Sequence, residues 1–187
     1  MNTSEPIVVS RDLMAVEIPN GYTVAIKVGT RVRITQSLGG TYTVVTEDGI
    51  MARIASEDSD AINQKTQAQT PDSSSRGPVT QSQLEKWVIG QLRTVFDPEI
   101  PVNVVDLGLI YSCEITPLAE DTNQYNVHVK MTLTAPGCGM GPVLKADAEG
   151  KILKLPSVKR VNIEVVVDPP WDPSRMSEAA KLQLGML

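Results

Sequence analysis

The chain has 187 residues, 41% hydrophobic, 21% charged and only 4% aromatic, with a net charge of -5 at neutral pH. That length admits one ample core or two small ones. No tract is basic enough for a nucleic-acid footprint, and no apolar run approaches the roughly 20 residues of a membrane helix. Two cysteines, Cys113 and Cys138, match neither a disulfide framework nor a zinc spacing. Residues 1–10 lack the pattern of an export signal. The expected setting is therefore a reducing cytoplasm, without a nucleic-acid or membrane partner.

From the N-terminus, short β-branched runs alternate with turn signals at Pro19-Asn20-Gly21, Gly39-Gly40 and Asp48-Gly49. They predict strands over Leu13–Ile18, Tyr22–Ile26, Arg31–Gln36, Tyr42–Thr46 and Met51–Ala55. Val32 and Ile34 alternate with Arg31, Arg33 and Thr35, the period of a half-buried strand. Residues 1–57 read as a small all-β, barrel-like domain. Residues 58–80 are rich in Gln, Ser, Thr and Pro, bury too little to offset ordering entropy, and read as a flexible linker.

Residues 81–187 read as a second domain, α-β-β-α-β-α, so the whole chain is of the α+β class. Two capping boxes are written before the first helix, Thr80 with Gln83 and Ser82 with Glu85, and the helix is predicted to run to Phe96. Leu109, Tyr111, Cys113 and Ile115 form the apolar face of one strand, and Tyr125, Val127, Val129, Met131 and Leu133 that of the next. Pro142 suits a first helical turn, and Leu144, Ala148, Ile152 and Leu155 continue one stripe. Val161, Ile163, Val165 and Val167 predict a third strand. Asp172-Pro173 predicts the N-cap and first position of a helix running to Leu184.

The chemically unusual stretch is TAPGCGMGP at 134–142, opened by Thr134 and closed by Pro142. Its prolines and glycines fix a loop and let other groups approach the backbone. Cys138 lies at its centre just before a helix, where free N–H groups and the dipole favour thiolate, the form that binds metal or attacks electrophiles. The bland alternative is a small residue plugging a tight turn. Cys113, by strand parity, is a core residue, and His128 lies on the polar face of its strand with Lys130. A second constellation, DPEIP at 97–101, holds Asp97 and Glu99 between prolines, with Asp106 and Gly108 following. Fixed carboxylates suit a metal or a cationic partner, and helix termination explains the prolines equally well.

Three motifs in order, DPEIPVNVVDLGLIY at 97–111, MTLTAPGCGM at 131–140 and DPPWDPSRMSEAAKLQLG at 168–185, resemble the metal-sulfur cluster biosynthesis domain. That domain is shared by SufT-type factors, eukaryotic cytosolic iron-sulfur targeting factors and an assembly subunit of phenylacetyl-CoA oxygenase. The Gly139-Met140 pair after the cysteine, where many relatives carry Pro, and the N-terminal β unit make the chain look SufT-like. The resemblance implies an accessory role in iron-sulfur protein maturation. Cys138 would be the functional residue, with Asp97, Glu99 and Thr134 in support.

Stable clusters usually take four protein ligands, and one loop cysteine cannot supply them. The implied cofactor is thus none permanent, at most a transient iron-sulfur cluster with Cys138 as a passing ligand. The implied partners are the assembly machinery and client apo-proteins, with a homodimer as one way to add ligands. Two rival readings stand beside this non-enzymatic one. One is a cysteine-nucleophile enzyme using Cys138 with His128 as base, and the other a pure protein-interaction module.

Overall fold

A computed structural model describes residues 5–64, 79–97, 99–119, 123–135 and 139–186. They fall into two compact units, an N-terminal one that residues 99–101 join and a C-terminal one made of the remaining residues from 79 on.

The N-terminal unit is a six-stranded antiparallel sheet built from β1 (Ile7–Val8), β2 (Leu13–Glu17), β3 (Thr23–Ile26), β4 (Arg31–Leu38), β5 (Thr41–Thr46) and β6 (Met51–Ile54). Its spatial order is β1-β4-β5-β6-β2-β3. Among the described residues no β1–β3 ladder closes a barrel, but Val9 joins the far turn by donating to the Thr30 carbonyl and accepting from Gly29 N–H. The β4–β5 hairpin turns on Gly39 and Gly40, both at positive φ, which only glycine adopts without strain. Alternation sends Val32 inward against Arg31 and Arg33 outward. Leu13, Ile26, Val32, Val44 and Ile54 form one core with Ala61 and Ile62.

Those last two residues move the expected boundary. Ser56–Ile62 is a 3₁₀ helix, so the ordered unit continues past residue 57, because Ala61 and Ile62 have a core to enter. Arg11 fastens this segment from outside, donating to Asp58 Oδ1 at 2.9 Å and to Asp60 Oδ1 at 2.7 Å. The linker read at 58–80 therefore loses its first residues to the β unit, and residues 65–78 lie outside those described.

The C-terminal unit runs α1 (Gln81–Leu92), β7 (Ile110–Pro117), β8 (Tyr125–Met131), α2 (Gly141–Leu153), β9 (Val158–Val165) and α3 (Glu178–Gln183). Thr80 and Gln83 form the capping box, while Ser82 lies inside the helix. α1 stops at Leu92 and not Phe96, because Val95 and Phe96 turn to pair with Val104 and Asn103. β8 is central, antiparallel to β7 and parallel to β9. The inward residues Val127, Val129, Met131 and Ile163 meet Leu84, Val88 and Leu92 of α1 and Leu144, Ala148 and Ile152 of α2, all buried. Each of these Val, Leu, Ile and Met side chains contributes roughly 1.5–3 kcal/mol, and Ala148 less. The opposite face is polar and carries His128, Asn162 and Glu164.

Two sequence expectations change here. β7 has a register shift between Ile110 and Ser112, so Tyr111 leaves the core face that parity assigned it. The C-terminal helix is broken into a 3₁₀ turn at Pro173–Arg175, capped by Asp172, and α3, capped by Ser177.

Candidate functional site

The loop at 134–142 joins the end of β8 to the start of α2, and its two stems touch. A Cβ built on Gly141 would come within 2.8 Å of Leu133 Cδ1, so Leu133 packs directly on the glycine that closes the loop. The two flanks of residues 134–140 are therefore pinched together at Leu133 and Gly141. Just before it, Thr132 is buried and its N–H donates to the Leu109 carbonyl at 2.8 Å. Just before the helix, Met140 is fully buried. Its carbonyl accepts from Leu144 N–H, and Pro142 occupies the first turn. Thr134 is half-buried and lines a small cavity with Leu133, Val167, Pro170 and Trp171. Cys138 itself, with Pro136 and Gly137, lies outside the described residues.

A backbone relay ties this stem to the acidic segment. Val104 N–H donates to Val95 O, Leu109 N–H to Val104 O, and Thr132 N–H to Leu109 O. Asp97 follows α1, is buried at 5% exposure and donates its N–H to Val102 O at 3.3 Å. Glu99 is exposed, so the two carboxylates of the acidic signature occupy unlike environments. Asp106 is committed elsewhere. It receives Arg93 Nη1 at 3.1 Å and Asn103 Nδ2 at 2.6 Å, while Asn103 Oδ1 caps Val105 and Asp106 N–H groups.

The segment after β9 folds back over the turn that starts β7. Trp171 Nε1 donates to Leu107 O and the Tyr111 hydroxyl to Pro169 O, each at 2.8 Å. Ser177 N–H donates to Asp106 O at 2.8 Å, and the Arg175 guanidinium stacks 4.1 Å from the Tyr111 ring centroid. Gly108, at φ 72°, permits the approach, since a Cβ there would meet the Arg175 carbonyl carbon at 2.7 Å. Sequence reasoning gave Trp171 and Arg175 no role. Their signal was a tryptophan set between prolines, which is a poor core position and a good strap.

The other two reactive side chains are set apart. Cys113 is half-buried on the helix-bearing face, opposite Val129. Burial first, then the Glu85 and Glu114 charges, pushes its thiol up to about 11, so it stays protonated at neutral pH. His128 stands opposite Glu114 and Asn162. Its Nε2 lies 3.4 Å from Glu164 Oε2, an ion-pair distance without hydrogen-bond geometry. Among the described residues no group of three or more His, Cys, Asp or Glu could hold a metal ion, and no helix is long and apolar enough to cross a membrane.

Residues 85–165, from α1 to the end of β9, match the family model described as iron-sulfur cluster assembly protein. Over 105 residues the chain is 43% identical to an Fe-S protein maturation auxiliary factor of Porphyromonas gingivalis, covering 56% of this chain and 94% of that one. This chain belongs to the iron-sulfur cluster assembly protein family. It is also 36% identical over 103 residues to the Fe-S protein maturation auxiliary factor YitW of Bacillus subtilis, covering 55% and 95% of the two chains. To the auxiliary factor SufT of Staphylococcus aureus it is 34% identical over 92 residues, covering 49% and 98%. The family segment contains Asp97, Glu99, Thr134 and Cys138 together, and these relatives are named as auxiliary factors, not enzymes.

Proposed function

We propose that this protein is an accessory factor in iron-sulfur cluster assembly or transfer to client proteins, acting through Cys138 in the loop from Thr134 to Pro142. Kinship with maturation auxiliary factors carries the reading. The pinched stem at Leu133 and Gly141 supports it, because a thiol with a chemical task needs a fixed base. So does the state of Cys113, whose raised thiol leaves Cys138 as the cysteine suited to ionise at a helix start. The cluster is cargo: Cys138 serves as a transient ligand, Asp97, Glu99 and Thr134 shape its surroundings, and the remaining ligands come from assembly machinery or client apo-proteins. The proposed setting is the cytoplasm, where a thiol stays reduced, and no turnover of a metabolite is assigned.

Cys138→Ser tests it. The variant keeps its stability within about 1 kcal/mol, while iron-sulfur enzyme activities in cells fall, most under iron scarcity. Cys113→Ser spares them. The rival Cys138 nucleophile would need His128 as base, and that imidazole already lies against Glu164. His128→Ala therefore leaves maturation intact. Full maturation by a folded Cys138→Ser protein would sink the cysteine-centred reading and favour a pure interaction module.

A further inference from the structure

The outer edge of β9 carries no strand among the described residues, where β9 pairs with β8 alone and ends the sheet. Val166 N–H donates to Met131 O at 2.8 Å, which sets the phase of the strand. Residues 160, 162 and 164 aim their backbone groups at β8, and 161, 163 and 165 aim theirs outward. A groove runs beside this edge, walled by Leu133, Pro142 and Lys145 and floored by Ile163 and Val165. Val165 is 37% exposed, and Val167 just beyond is 72% exposed.

The side chains along the edge say what fits it. On the polar face stand Arg160, Asn162 and Glu164, all exposed, so charge is antisymmetric about Asn162. Arg160 has no ion pair among the described residues, and Glu164 has only the loose contact with His128. An antiparallel copy of the same strand, centred on Asn162, sets Arg160 against Glu164 of the partner subunit twice and Val161 against Ile163 of the partner subunit twice. In that register the Arg–Glu pairs are non-hydrogen-bonded pairs, whose side chains approach closest. Centring on Glu164 or on Arg160 instead faces like charges.

We propose that β9 pairs antiparallel with β9 of a second copy of this chain, with Asn162 on the two-fold axis. The contact is isologous and closes at two subunits, and it covers an edge that would otherwise be open to unwanted pairing. It also bears on cluster handling. Met131, where the cysteine loop departs, pairs with Val165, three residues from the axis. With roughly 3.3 Å per residue and 4.8 Å between strands, the two Met131 positions lie about 25 Å apart. Such a dimer sets apart the two β8 ends from which the cysteine loops depart.

Sedimentation equilibrium of the full chain tests the pairing. Wild-type mass rises from one chain toward two with concentration. Arg160→Glu and Glu164→Arg, both at exposed positions, each weaken association by at least about tenfold, with circular dichroism unchanged. An equimolar mixture of the two variants restores the dimer, because each glutamate then faces an arginine, and the double variant restores it alone. Val165→Pro, which removes an outward N–H, also gives monomers. A wild type that stays monomeric at every concentration, leaving the edge to another protein's strand, overturns the proposal. Single variants that dimerise like wild type overturn it too.

Discussion

Trp171 and Leu107, 64 residues apart, are joined by an indole-to-carbonyl hydrogen bond of 2.8 Å. Leu107 is buried beside Leu109, whose carbonyl holds Thr132 at the stem of the cysteine loop. Trp171 also lines the cavity that Thr134 faces. One side chain thus touches both the acidic-segment turn and the loop wall. Trp171→Phe keeps most of the packing and removes the bond, at a cost of about 1 kcal/mol. Chemical denaturation should register that loss together with a changed alkylation rate at Cys138. An unchanged rate would show that the strap does not govern the loop.

Gly108→Ala strikes the same clamp from the other side. The substitution combines an L residue at φ 72° with a Cβ against the Arg175 backbone, which cannot yield as a side-chain end would. A loss of about 2–4 kcal/mol follows from strain plus displacement of the strap. An Arg175→Ala variant, which loses the exposed stacking on Tyr111 and a long 3.4 Å hydrogen bond from Nε to the Gly108 carbonyl, should cost about 1 kcal/mol or less. If the two variants are equally mild, the close approach is not what holds the segment.

The half-buried thiol of Cys113 gives a pH dependence with a definite sign. Its folded value, about 11, lies above the ordinary 9.0 because burial disfavours the thiolate. Its contribution to stability is complete below about pH 9 and disappears as pH rises through about 11. In a Cys138→Ser background, alkylation of Cys113 should remain slow through pH 9 and climb toward pH 11. A midpoint at or below 9 would mean that the strand face is open to water.

Periodicity made most of the second unit legible: the stripe Leu144, Ala148 and Ile152 is buried as its spacing requires, and Thr80 with Gln83 caps the first helix. It failed where chain contacts override local pattern. Tyr111 alternates correctly on paper, yet a bulge turns it to meet Pro169 and Arg175. The end of α1 is set by pairing of Val95 and Phe96 with residues beyond the prolines, which no local propensity encodes. Ala61 and Ile62 were hidden in a polar stretch, and only the β-sheet core explains their burial. Of the site, the loop and acidic segment were readable as motifs, whereas the Leu133–Gly141 pinch and the Trp171 strap are long-range facts.

Ile62 offers a direct check on the extent of the β unit. It is fully buried in the core with Ile54 and Val44, so Ile62→Ala should remove about 2–4 kcal/mol by lost transfer energy and a cavity. The loss should appear in amide exchange of β2, β5 and β6. Replacing Asp60, whose ion pair with Arg11 is exposed, should cost under about 1 kcal/mol. A tolerant Ile62 would return the boundary to residue 57.

Gly141→Ala separates loop geometry from thiol chemistry. The added methyl points at Leu133 Cδ1, the far end of a side chain that can rotate away, and alanine is a better helix former than glycine at the start of α2. The two effects oppose, so global stability should change by less than about 1 kcal/mol. Leu133, however, must leave the stem, and with it the wall it shares with Thr134 and Trp171. Maturation of client enzymes should fall although Cys138 is intact, and the alkylation rate of Cys138 should shift. Adding Leu133→Ala to Gly141→Ala relieves the overlap and should recover part of the activity, whereas Leu133→Ala alone leaves a hollow stem and does not improve on wild type. Normal maturation by Gly141→Ala would mean that the cysteine works regardless of how its loop is pinched, which would shift weight from a shaped site to client docking elsewhere on the unit.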